Sequence, residues 1–488
     1  MSPTLVMGII AAYFALLIII SFITGKKTDT ETFFLANRQS PWYIVAFGMI
    51  GASLSGVTFI SIPGMVAKSQ FAYMQVVLGY LLGYLVIATV LMPLYYRLNL
   101  VSIYTYLEQR FGYWSYKTGA AFFLLSRTLG SALRLFVVAG VLQLALFDPL
   151  GVPFAVSVAI TILLIWVYTF RGGMKTIIWT DTFQTASMLI AVAVSVYMIS
   201  DELNLTFSQL VTTVEESKYS QVFFWDYKDG NYFVKQFFSG AFIAIVMTGL
   251  DQDMMQKNLS CRNIGEAQKN MFWFSVVLVV VNLLFLTLGA LLYIYANAKG
   301  IELPTRGDDV FPFLALHHFS YFAAILFILG IVACSYSSAD SALTALTTSF
   351  CVDFLEFKHK TEQERVRLRY MVHIGFSVVM LLVILIFKAI NDANVITAVF
   401  KVAGYTYGPL LGLYSFGLFL KNRKVRDNLV PVICVLSPVI TYIIAYNSVE
   451  WFWGYEFGFE ALILNGLLTF MGLYAISSRH FELAEETL

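Results

Sequence analysis

The sequence predicts an all-α polytopic membrane protein of about thirteen spans, and three observations carry that prediction. The 488 residues are 59% hydrophobic and 12% charged, whereas a soluble domain is nearer half apolar and a quarter charged. Apolar runs of about 20 residues, enough to cross a bilayer core, recur from end to end. Charged and Pro/Gly-rich stretches divide them into spans at roughly 5–24, 42–67, 71–97, 118–146, 153–170, 176–200, 233–256, 271–297, 320–352, 368–388, 393–420, 429–447 and 457–477. Basic residues then fall unevenly on the alternate loops. With the N-terminus outside, 21 of the 31 Lys and Arg lie in inward loops and seven in outward ones. This predicts an inner (plasma) membrane protein with its N-terminus outside and its C-terminus cytoplasmic. Three basic residues remain at membrane depth: Arg127, Arg134 and Lys401.

Span one lacks a basic segment before it, and no small-x-small cleavage signal precedes Lys26-Lys27, so it reads as a retained helix rather than a signal peptide. Net charge is +1, which argues against a nucleic-acid partner. Cys261, Cys334, Cys351 and Cys434 have no metal-ligand spacing and are expected as free thiols. The longest outward loop, about 201–232, mixes acids with aromatics and reads as an extracellular cap. Trp451-Phe452-Trp453 fits an interfacial aromatic belt.

Polar residues at membrane depth carry the functional information. Span two contains Gly48, Gly51, Ser53, Ser55, Gly56 and Thr58, a run that makes poor continuous helix. Such a run is either a tight packing face or a discontinuous helix, whose freed carbonyls bind ions and substrate in transporters. Span nine places Cys334, Ser337, Ser338 and Ser341 on one helical face with Asp340 at its edge. Hydroxyls alone can bond back to the preceding turn. A mid-membrane carboxylate is costly and therefore a functional candidate, and hydroxyl and carboxylate oxygens suit a hard cation. Asp181 in span six is a second such carboxylate, either a cap at the helix end or Asp340's partner in a cation cage. Arg127 and Arg134, seven residues apart on one face of span four, are candidates for holding a substrate carboxylate or for structural ion pairs. Lys401 offers the same two readings.

At these residues the chain resembles the sodium:solute symporter family. The resemblance rests on Gly172-Gly173-Met174 with Trp179-Thr180-Asp181-Thr182-Phe183-Gln184, on Gly249-Leu250-Asp251-Gln252 with Gln256, on Ser337-Ser338, and on Tyr405-Thr406-Tyr407-Gly408-Pro409. It implies a LeuT-like fold of two inverted five-helix repeats, at 42–200 and 233–420, with additional helices at 5–24 and 429–477. The first span of each repeat should be broken near the bilayer midplane. A shared sodium site falls by resemblance on the carbonyls of Gly51, Leu54 and Cys334 and the hydroxyls of Ser337 and Ser338. A second site, present in some members, falls on Asp181, Asp340 and Ser341, where Asp340 replaces a usual hydroxyl and could carry a proton instead. The substrate site is expected at Ser53, Ser55, Thr58 and Gln75, with Arg127 or Arg134, and with Lys401 as a further candidate. Ala244, Met247 and Thr248 depart from the asparagine and aromatic pair of the sugar-transporting members.

The resulting expectation is a sodium-coupled symporter, not an enzyme. It would act as a monomer, import a small polar solute by alternating access with one or two sodium ions, and take a solute that bears a carboxylate. Sugar or proton-coupled transport on the same fold is the nearest alternative. A membrane sensor would be expected to carry a signalling domain, and an intramembrane aspartyl protease would need a Gly-x-Gly-Asp context that Asp181 and Asp340 lack.

Overall fold

The computed structural model describes residues 3–24, 34–357, 360–390 and 395–479, excluding the side chains of 3, 168, 170–173, 175 and 479. Lys26, Lys27 and Lys358, and the side chains of Arg171, Gly172, Gly173, Lys175 and Arg479, therefore lie outside the described residues. The longer helices are α1 (Pro3–Thr24), α2 (Trp42–Ser53), α3 (Gly56–Ser69), α4 (Tyr73–Arg97), α5 (Tyr113–Leu142), α6 (Phe154–Glu202), α7 (Phe233–Gly249) and α8 (Gln252–Leu259). They continue as α9 (Ile264–Lys299), α10 (Gly307–His317), α11 (Tyr321–Ser349), α12 (Glu362–Ile390), α13 (Val395–Thr406), α14 (Gly408–Phe419), α15 (Val430–Tyr446) and α16 (Ala461–Ala475). Two three-residue strands, β1 (Arg423–Val425) and β2 (Ser477–Arg479), pair antiparallel and join the ends of α14 and α16, a small exception to the all-α expectation.

Among the described residues, eight helices are long and apolar enough to cross a membrane, or ten if each of two bent pairs is one span. The other predicted spans (five, eleven and thirteen) fall on shorter apolar helices: Phe154–Val167, then Val395–Thr406 with Gly408–Phe419, then Ala461–Ala475. One boundary differs from expectation. Residues 171–175, placed between spans five and six, are helical and lie inside α6. Composition alone had marked a loop there, and Gly and charged residues lower helix propensity without forbidding a helix.

Burial separates a centre from a periphery. In α11, 78% of the apolar window is buried, against 22% in α12 and in α15. Small side chains from Cys334 to Ser349 let neighbouring helices close on α11 from every side. The opposite case is α12, where Ile374, Val378, Leu382 and Ile386 recur every fourth residue as an exposed apolar stripe suited to hydrocarbon. The four cysteines are buried, unbridged thiols.

Two breaks position the site. The pair α2 and α3 bends by 57°, and α7 and α8 by 65°, as expected for the first spans of the two repeats. At the first break Leu54 (φ −86°, ψ 78°) and the extended Ser55 interrupt the helix. The second comes after a π-helical turn over Ile245–Gly249, with Leu250 and Asp251 outside helical geometry. At Gly249 an added Cβ would press on the Ile87 and Leu91 side chains of a second π turn, in α4, so the two wide turns pack closely. Such single wide turns concentrate at functional positions in helices.

Candidate cation and solute site

The first break supplies oxygen without charge. A helix end leaves its last carbonyls without partners in the chain's own turns. Among the described residues, no side chain or backbone N–H outside the helix donates to the carbonyls of Gly51, Ala52, Ser53 or Leu54. The break lies against α6 and α11. Gly48 and Gly51 face Asp181 and Thr185 so closely that a Cβ at Gly51 would collide with the Thr185 hydroxyl. Gly56 meets Ser335 in the same way. Across this contact the Ser337 hydroxyl donates to Asp181 Oδ1 at 2.6 Å, and Arg134 Nη1 donates to Ser338 Oγ at 3.3 Å. Cys334, Ser337 and Ser338 are all buried. The residues named for the first sodium site thus gather at one junction of α2, α6 and α11.

The residues named for the second site are only partly gathered. Asp181 and Ser341 meet through a third residue, Lys257 of α8, whose ammonium donates to Asp181 Oδ2 at 2.7 Å and to Ser341 Oγ at 3.0 Å. The Asp340 carboxylate accepts its own helix's Ser341 N–H at 2.5 Å and has Tyr13 of α1 in its surroundings. It lies about 100° around the helix from Ser341, which turns it toward the added helix instead of toward Asp181. Lys257 directly follows predicted span seven (233–256), where an inward loop is expected, but only 1% of its side chain is exposed. The bend at Leu250–Asp251 redirects α8 into the protein and carries the lysine with it.

The second break is charged and closed. Asp251 caps α8 by accepting the N–H groups of Asp253 and Met254. Arg127 pairs with Asp253 and lies 3.8 Å from Asp251. The Tyr407 hydroxyl donates to Asp251 Oδ2 at 2.5 Å. The carbonyls released at this break are taken by tyrosines, Gly249 by Tyr95 at 2.8 Å and Leu250 by Tyr104 at 2.9 Å.

A cavity opens beside the first break, lined by Ser53, Leu54, Ser55 and Thr58 together with Arg127 and Arg134. Tyr73, Tyr80, Tyr84, Met247, Thr248, Asn282 and Phe400 contribute to its wall. The Tyr73 and Phe400 rings stack at 6.5 Å across it, and the Tyr73 and Tyr80 hydroxyls bond at 3.0 Å. The Asn282 amide donates to the Leu278 carbonyl, and its Oδ1 has no partner among the described residues. The two arginines now differ. Arg127 is buried against carboxylates, whereas Arg134 is half-buried and contacts only a neutral hydroxyl among its described hydrogen bonds.

Two expected substrate residues do not reach the cavity. Gln75 uses its amide on backbone groups: Nε2 donates to Ala72 of its own turn and to Asn231 of the 201–232 loop, and Oε1 accepts from Phe224 of that loop. It fastens that loop to the start of α4. Lys401 is exposed on α13. Ile396, Val399 and Phe400 form the inward face of that helix, and the next residue in sequence points about 100° away from Phe400. Asp251, Asp253 and Lys257 were not anticipated as site residues. A break read literally at Gly249 would have shown them, because it places two acids and a lysine at membrane depth.

The chain is similar in sequence to several proteins named as sodium-coupled transporters. A sodium/sialic acid symporter of Aliivibrio fischeri is 23% identical over 92% of this chain and 89% of its own length. One from Proteus mirabilis is 22% identical over 95% and 94%. The mouse sodium-coupled monocarboxylate transporter 1 is 25% identical over 82% of this chain and 66% of its own. Among solved structures, a Na+-coupled sialic acid symporter in a substrate-bound outward-open state superposes with a TM-score of 0.80 at 19% identity, over 97% of this chain and 99% of that one. The nucleobase-cation symporter Mhp1 in a closed conformation gives 0.55 at 15% identity, over 91% and 93%, which places the fold among LeuT-like transporters. The profile of the sodium:solute symporter family matches residues 33–430. With the broken spans and the α2–α6–α11 junction, that match makes this chain a member of the sodium:solute symporter family.

Proposed function

We propose that this family member imports a small carboxylate-bearing solute by sodium-coupled alternating access, with sodium at the first break and the solute carboxylate on Arg134. The observation that carries the reading is the contrast between open and closed carbonyls. Among the described residues, no group outside the helix donates to the Gly51–Leu54 carbonyls, which lie beside Ser337, Ser338 and the buried Asp181 carboxylate, and Arg134 reaches Ser338 from the solute cavity. A cation satisfies the carbonyls and hydroxyls together, in the way oxygen donors hold hard metal ions. Because sodium bridges a bent helix and α11, its binding favours one arrangement of those elements. Sodium and solute affinities are then reciprocally linked.

Relatives named for sialic acid and for monocarboxylates share a carboxylate substrate, and a guanidinium presents the planar fork that recognises one. Asn282, Thr248 and Ser53 provide partners for further polar groups, and the aromatic wall suits an apolar flank. The residue assignments, the two repeats at 42–200 and 233–420, the monomeric working unit and the outside N-terminus form one consistent reading. The test is uptake of labelled N-acetylneuraminate, lactate and short fatty acids into proteoliposomes, with and without an inward sodium gradient. Sodium-dependent uptake of one carboxylate, with affinity reduced roughly 10–100-fold in Arg134→Gln, is the expected result. Uptake that persists without sodium and follows a proton gradient would overturn the sodium coupling.

A further inference from the structure

The residues that would hold a second sodium already hold a positive charge. Lys257 is buried, and its ammonium bonds both Asp181 Oδ2 (2.7 Å) and Ser341 Oγ (3.0 Å). Ser341 completes the set by donating within 3.3 Å of Asp253 Oδ2, and Ser337 occupies the other Asp181 oxygen. A second monovalent cation at these oxygens would sit in direct contact with the ammonium, and like charges that close in a protein interior disfavour one another. The lysine is also covalently tethered, so no diffusing ion has to be captured to balance Asp181.

We infer that Lys257 is a resident cation: its ammonium fills the second cation position built by Asp181 and Ser341, so the transporter binds one sodium, at the Gly51–Leu54 break. This rests on the sodium reading above and narrows it from one or two ions to one. Lys257 acts through charge on Asp181 and Ser341 and touches no solute, so it is a positioning residue for coupling. It sits on α8, the second half of a bent span, while its partners sit on α6 and α11. The charge that balances Asp181 therefore travels with α8.

Equilibrium binding of 22Na+ to the purified full-length chain in nanodiscs tests the inference without knowledge of the solute. The wild type should saturate at one sodium per chain, and Ser338→Ala should weaken that binding at least tenfold. Lys257→Met should bind a second sodium, and adding Ser341→Ala to it should remove the second again. Lys257→Arg, which keeps the charge, should stay at one. Two sodium ions on the wild type would overturn the lysine assignment, as would a single ion on a monodisperse Lys257→Met protein. If Lys257→Met does not fold, the wild-type count still decides. No sodium on the wild type would overturn the sodium reading itself, a result distinct from a count of two.

Discussion

The two bent spans of this protein have similar angles, 57° and 65°, but opposite chemistry. At the first break, among the described residues, no group outside the helix donates to the carbonyls of Gly51–Leu54, which lie beside the Ser337 and Ser338 hydroxyls. The second is crowded with Asp251, Asp253, Arg127, Tyr407 and Lys257, and its carbonyls are closed by Tyr95 and Tyr104. Bending a helix in an apolar medium frees polar groups that must be satisfied. One break is satisfied from within, and the other is left for ligands from outside. Similar backbone geometry therefore gives a structural joint in one place and a binding site in the other.

Five substitutions test this contrast. The largest effect is expected for Arg127→Met, which leaves Asp251 and Asp253 buried without their guanidinium. Losing one partner of such a pair costs about 3–5 kcal/mol, so the purified variant should melt much earlier or fail to fold. A wild-type melting curve would show that the second break needs no such clamp. Arg134→Gln should instead melt normally and lose roughly 10–100-fold in solute affinity, the range for one charge-assisted hydrogen bond; competition uptake measures it. Tyr104→Phe strips the donor from the Leu250 carbonyl and should cost about 1–3 kcal/mol of stability without changing the sodium dependence of uptake. Ser338→Ala should do the reverse: an unchanged melt, with about tenfold more sodium needed for half-maximal uptake, equivalent to about 1.4 kcal/mol. Lys401→Ala should alter stability by less than about 0.5 kcal/mol and leave uptake unchanged, since the side chain is exposed and away from the cavity.

Much of the first break was legible in the sequence, because its signal is local. Glycines and serines within eleven residues disfavour a continuous helix, and Ser337-Ser338 lie one turn after Cys334 on the face that meets it. The second break was legible only in position. Gly249 marked it, but the chemistry of Asp251, Asp253 and Lys257 depends on where α8 points after the bend, and no periodicity reports that angle. A lysine at the end of an apolar run is read as a loop residue unless the run is known to turn inward. Gln75 was misplaced for a related reason: its partners, Asn231 and Phe224, are some 150 residues away in a loop whose docking leaves no local pattern. Lys401 failed on helical phase, since Phe400 beside it does reach the cavity.

The contact between α4 and α7 has a mechanical consequence. Gly79 faces the Phe237 carbonyl, Gly240 faces the Val76 carbonyl, and Gly83 faces the Ala241 carbonyl, each too close to admit a Cβ without a shift. Two backbones in direct contact have no long side chains between them to flex, so the pair should move as a single beam. Probes fixed on these two helices should hold a constant separation through the transport cycle, while a probe on α8 changes its distance to both. In such a machine the stiff member is set by what its glycines lack, and the hinge by the bend that follows Gly249.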